Sequence, residues 1–180
     1  MLHDRELLEK LSAFPAEKYD GEVFRATRLG LHPLTASVSG GRWMPTNVTP
    51  TLYTSAGRNG AIAEITFHWS QLTPRPSKHA LLHRIALKTK KSIRLLRADL
   101  TAVGVDLSHY SDVNYAKTQA IGAAIAHLEC DGLIVPSARW NCENVIVFMN
   151  NSDGDDDIAL ILNSEDLDWL AWARTHSRLP

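Results

Sequence analysis

Cysteine is scarce in this chain: Cys130 and Cys142 are the only two among 180 residues. That excludes a disulfide scaffold and fits reduced thiols. Long apolar runs are also missing. The longest, such as 120–128, are far shorter than the ~18 residues a membrane-spanning helix needs. The start, Met1-Leu2-His3-Asp4-Arg5-Glu6, has no basic stretch leading into an apolar one, so no secretory signal is expected and the chain reads as cytoplasmic. Neither sign of charge dominates, with 19 Lys and Arg against 20 Asp and Glu. A protein that coats nucleic acid would carry a basic excess, so direct nucleic-acid binding is not expected, and neither is a membrane role. A near-zero total still leaves room for a local cationic pocket.

Several familiar motifs are absent as well. There is no G-x-x-x-x-G-K-[ST] phosphate loop, no G-x-G-x-x-G after a strand and no G-x-S-x-G elbow. His127, Cys130 and Cys142 have only a faint metal spacing, without a paired C-x-x-C. His127 reads as a core histidine, and no metal or resident cofactor is expected. The acidic run 153–157 has the composition of a calcium loop but not its spacing, and reads as a solvated turn.

What remains is the length and pattern of one α+β domain over 1–180, with a mixed, mostly antiparallel sheet and flanking helices. Apolar spacing predicts helices over 4–13, 59–70 and 115–128. Strands are expected at 22–25, 51–54, 79–87, 93–96, 133–136, 145–149 and, at an edge, 158–162. Residues 28–50 and 99–112 read as loops, the first long enough to suggest function. Ser164 reads as the cap of a C-terminal helix over about 165–176, with Glu165 and Asp166 in its first turn. The Leu167, Leu170 and Ala171 side of that helix reads as core packing or, if exposed, as a partner surface.

Three polar clusters exceed what a plain core requires. They are Val23-Phe24-Arg25; Gly40-Gly41-Arg42-Trp43 with Leu52-Tyr53-Thr54-Ser55 and Ala63-Glu64; and the segment from Gly132 through Pro136-Ser137-Ala138-Arg139, with Asn144 after it. In this order they resemble the RES domain family: an arginine-bearing first strand, a G-G-R-W loop, an L-Y-T-S strand, a helix with an inward glutamate, and a D-G-x-x-x-P-S-A-R segment. The resemblance spans about 20–150. It departs from the usual pattern at Met44, where the family has asparagine, and at Pro45-Thr46-Asn47, where a proline–glycine turn is usual.

The resemblance implies a fold similar to ADP-ribosylating toxins. It also implies a toxin that consumes NAD by cleaving the nicotinamide–ribose bond, a glycohydrolase or phosphorylase with water or inorganic phosphate as acceptor. A cognate Xre-type helix-turn-helix antitoxin would neutralise it. Mono-ADP-ribosyl transfer to a protein, or an inactive NAD- or partner-binding module, are the alternatives, and a homo-oligomer stays open.

The residues suit that chemistry. The leaving group is already cationic and needs no general acid, while the oxocarbenium-like ribose needs a carboxylate. Glu64 fills that role on the resemblance. Arg25 and Arg42 would hold the pyrophosphate, and Tyr53 would stack on nicotinamide. Ser137 would hydrogen-bond substrate or orient Glu64 rather than act as nucleophile, since no His–Asp arrangement activates it. His68, one helical turn after Glu64, shares its face. Trp43 reads as a loop anchor, and Arg139 and Asn144 as secondary site residues.

Overall fold

The computed structural model describes residues 3–152 and 158–178, so the acidic run 153–157 lies outside the described residues. Helix α1, Arg5–Ser12, starts where Asp4 accepts hydrogen bonds from the amides of Glu6 and Leu7, and buries Leu7 and Leu11. Strand β1, Ala16–Arg28, is far longer than the expected 22–25. It pairs antiparallel along almost its whole length with β3, Ala80–Arg94. The expected strands 79–87 and 93–96 are therefore one. The strand runs on through the charged stretch between them, where Lys88, Lys90 and Lys91 are exposed while Thr89 and Ser92 are buried. Opposite this stretch β1 is polar too, with Asp20 in register with Lys88.

Strands β2 (Thr51–Ser55), β4 (Gly132–Pro136) and β5 (Glu143–Phe148) pair in the order β2-β5-β4. β2 meets β1 at Phe24 and Ser55, and β4 meets the end of β3 in parallel, so these five strands pair in a ring. Inside it lie Val23, Leu52, Ile85, Leu87, Ile134, Val145 and Val147, contributed by every strand of the ring. Strand β6, Ala159–Leu167, adds antiparallel to the first half of β3. Only the β3–β4 pair is parallel among the described strands.

Helix α2, Arg58–Ser70, packs Ala61, Ile62 and Ile65 with Ala80, Leu82, Leu167 and Trp169. Helix α3, Arg97–Ala102, and a short 3-10 turn at Leu107–His109 occupy the stretch expected to be loop. Asp99 caps α3 by accepting from the Leu96 amide, a local bond that short polar segments hide from periodicity. Helix α4, Ala116–His127, covers the outer face of β4 and β5, where Leu133, Val135, Ile146 and Phe148 meet Ile121 and Ile125. His127, at its end, is exposed and stacks on His3 rather than sitting in the core.

The last helix, α5, is shorter than expected, Trp169–Thr175, and Asp168 caps it through the Ala171 amide. Ser164 is instead a strand residue in β6, and its hydroxyl meets Nδ1 of the buried His83 at 2.7 Å. The helix cap thus falls four residues later than the Ser-Glu-Asp run suggests, because β3 offers β6 a ladder through Leu167. No described helix is long and apolar enough to cross a membrane.

Candidate active site

The long irregular segment after β1 folds back over the ring. Gly40 adopts φ 79°, and a side chain there would meet the Met44 carbonyl and the Thr46 amide at 2.9 Å. The Gly41 amide donates to that same Met44 carbonyl at 2.9 Å, closing a tight turn that presents Arg42. Trp43 and Met44 then anchor the turn in the core, both almost fully buried. Helix α4 accepts this anchor because residue 122 is glycine: any Cβ there would lie 1.7 Å from the Trp43 carbonyl oxygen. Met44, the departure from the family pattern, thus serves the core and does not line the cavity.

Beneath the turn is a cavity of about 420 Å³ walled by β1, β2, α2 and the turn itself. Arg25, Arg42, Tyr53 and Glu64 all line it, as do His68, Trp43, Tyr115 and Asn144. Ser137 is buried just behind the wall, and its hydroxyl donates to Glu64 Oε1 at 3.2 Å. The same Ser137 oxygen accepts from the backbone amides of Arg139 and Trp140, which fixes it as a turn residue and a support for Glu64 together. Asn144 Nδ2 donates to the same Oε1 at 3.1 Å. Both bonds converge on one carboxylate oxygen, and Oε2 accepts none among the described residues.

The two arginines are held by neutral groups. Arg25 donates Nη1 to the Pro33 carbonyl at 2.6 Å, and burial lowers its pKa to about 10. Arg42 donates to the carbonyls of Tyr110 and Asp112, and its guanidinium lies 4.5 Å from the Tyr115 ring centroid. Among the described residues neither forms an ion pair with a carboxylate. Each keeps unused N–H donors beside the cavity.

Tyr53 packs its ring against Gly41, where a Cβ would come within 2.7 Å of its hydroxyl. That hydroxyl is buried without a hydrogen-bond partner, close to the Trp43 and Met44 amides, and burial pushes its pKa up. His68 stands at the mouth. Desolvation lowers its pKa first, nearby Glu64 pulls the other way, and Arg139 and Arg42 lower it further.

The sequence-derived site residues therefore converge: four line one cavity and Ser137 braces its carboxylate from behind. Tyr115 escaped notice because no motif carries it, and only the packing of Arg42 on its ring reveals it. Asn144 ranks higher than its sequence suggested, since β5 pairing brings it beside Ser55 and within reach of Glu64.

A model of the RES domain matches residues 19–170. The chain belongs to the RES domain family. Apart from the first three residues of β1, its matched span contains every described strand, and it contains all the residues lining the cavity of this RES domain. Among solved structures, the crystal structure of the M.tuberculosis MbcT-MbcA toxin-antitoxin complex contains a chain similar in fold. The TM-score is 0.82 at 19% identity, covering 97% of this chain and 98% of that one. The sequence matches none of the curated proteins compared with it. The α+β RES fold thus holds over the full ring and its helices.

Proposed function

We propose that this RES domain is the toxin of a toxin–antitoxin pair and cleaves the nicotinamide–ribose bond of NAD. The observation that carries the reading is Glu64, tethered at Oε1 by Ser137 and Asn144 inside a cavity whose Arg25 and Arg42 pair with no carboxylate among the described residues. Similarity in fold to a chain of a toxin-antitoxin complex supports the toxin assignment.

In this reading the bonding electrons leave with nicotinamide, which departs neutral and needs no proton. The ribose becomes oxocarbenium-like, and Glu64 stabilises that charge through its untethered oxygen. Arg25 and Arg42 neutralise the pyrophosphate, and Tyr53 packs against the nicotinamide ring or receives a hydrogen bond at its orphaned hydroxyl. Water or inorganic phosphate then adds to the ribose carbon, giving ADP-ribose or its anomeric phosphate. An Xre-type helix-turn-helix antitoxin is the proposed partner.

The test is nicotinamide release from NAD by purified protein, with and without phosphate. Glu64→Gln keeps an acceptor for Ser137 and Asn144 but loses the charge, and turnover falls at least ~100-fold, the scale of one preorganised electrostatic group. Unchanged turnover overturns the assignment. Label from NAD retained on a protein band would instead indicate ADP-ribosyl transfer, and NAD binding without nicotinamide release an inactive module.

A further inference from the structure

A second cavity, about 390 Å³, opens on the opposite side of α2. This is within the ~300–1,000 Å³ range of small-molecule sites. It shares no lining residue with the first cavity. Thr66, Phe67 and Ser70 of α2 form one wall, and Ser111, Arg139 and Arg178 face them. Among the described residues no carboxylate lines it.

Two of its wall residues carry buried polar atoms with no hydrogen-bond partner, Thr66 Oγ1 and Arg139 Nη2. Thr66 is 1% exposed, so its hydroxyl has lost water without a protein replacement. A buried donor left unmade is costly, and such orphans call for a ligand or ordered water. Arg139 is held in place: its guanidinium carbon lies 3.3 Å from the Phe67 ring centroid. No carboxylate among the described residues pairs with Arg139 or Arg178. Burial, and then Arg42, lower the Arg139 pKa, while Glu64 and a side-chain hydrogen bond with Tyr115 pull it the other way. Arg178 is anchored over Trp140 at 5.2 Å.

We propose that this second cavity is an anion site for a phosphate-bearing small molecule, separate from the Glu64 cavity. Two guanidinium forks and an array of hydroxyls supply more donors than a carboxylate can use, and they match a phosphate dianion. The volume exceeds what a bare ion fills and accommodates an attached organic group. Arg139 also ties the site to the first cavity, since its amide donates to Ser137 Oγ, which donates to Glu64.

The experiment is titration of the whole chain with inorganic phosphate and, separately, glycerol phosphate, without NAD, followed by amide NMR. The expected result is saturable shifts at Ser70, Ser111 and Ala138. Thr66→Val, which keeps shape but removes the hydroxyl, and Arg178→Gln, an exposed position, each weaken binding about tenfold, the effect of ~1.4 kcal/mol. Tighter binding of glycerol phosphate assigns the site to a phosphate ester, and equal binding to the free ion. Saturation confined to the first cavity, shifts that never saturate, or unchanged affinity in both folded variants overturns the proposal. Because NAD is absent, this outcome is independent of the NAD-cleavage reading.

Discussion

Asn144 Nδ2 on β5 donates to Glu64 Oε1 on α2 at 3.1 Å, while its own Oδ1 is buried without a partner. One end of the amide therefore serves the carboxylate and the other waits for a donor beside the cavity. A hydrogen bond to a charged group is worth ~1.5–3 kcal/mol, and an unsatisfied buried acceptor costs ~1–3 kcal/mol. On the proposed mechanism, Asn144→Ala is expected to lower kcat for nicotinamide release about 10- to 100-fold with little change in KM, because the bond would aim a charge that acts in the transition state. The urea midpoint should stay close to wild type, since the orphan acceptor leaves with the bond. A rise in KM at unchanged kcat would instead place Asn144 in substrate binding alone.

Tyr53 offers a sharper separation of stability from activity. Its hydroxyl is buried and unpaired beside Gly41. Removing it in Tyr53→Phe relieves a desolvated group and should leave stability unchanged or raise it by up to ~1 kcal/mol. If that hydroxyl is reserved for substrate, nicotinamide release falls about tenfold in the same protein. Such opposite signs are the mark of a group kept for function at some cost to the fold. Chemical denaturation and initial rates on one preparation decide it; a destabilised variant with full activity would show a structural hydroxyl.

The site was more legible than the fold around it. Arg25, Arg42, Tyr53, Glu64 and Ser137 stand in short ordered motifs, and residue identity alone carries them. The partners of Arg42 do not, because the Tyr110 carbonyl, the Asp112 carbonyl and the Tyr115 ring come from a polar stretch with no periodicity. β1 and β3 were underestimated for a related reason. Their paired ends, Asp20 opposite Lys88, leave the core, so alternation fades while the backbone ladder continues. Ser164 misled because its Ser-Glu-Asp run has the chemistry of a helix start. Here that hydroxyl has a better use on His83, and β6 gains backbone pairing with β3 as far as Leu167.

Gly122 tests how tightly the Arg42 turn depends on α4. The Trp43 carbonyl oxygen lies where a Cβ would be, 1.7 Å away, so the contact is backbone against backbone and no side chain can yield. Gly122→Ala should destabilise by ~1–3 kcal/mol, the usual cost of overpacking, despite alanine's better helix propensity. The turn must shift to relieve the clash, so Arg42 loses its register with Tyr110 and Tyr115 and the KM for NAD rises. A urea midpoint at or above wild type would show that the turn moves freely.

His79 sets a pH dependence that is independent of catalysis. Its Nδ1 bonds to Asp166 on β6, with Asp168 at 3.8 Å from Nε2, and the Asp166 hydrogen bond raises its pKa above the ordinary 6.5. A raised folded-state pKa means the folded chain holds the proton more tightly than the unfolded one. The stabilisation is therefore complete below the unfolded value and disappears as pH rises through the raised folded value. The pair is exposed, so the effect is small and screened by salt. His79→Gln should lower the urea midpoint at about pH 5.5 and leave it unchanged at about pH 9, well above the ordinary histidine range. The difference should shrink further at high salt. A deficit that is equal at both pH values would assign His79 to packing instead, and one that grows with pH would reverse the sign of the linkage.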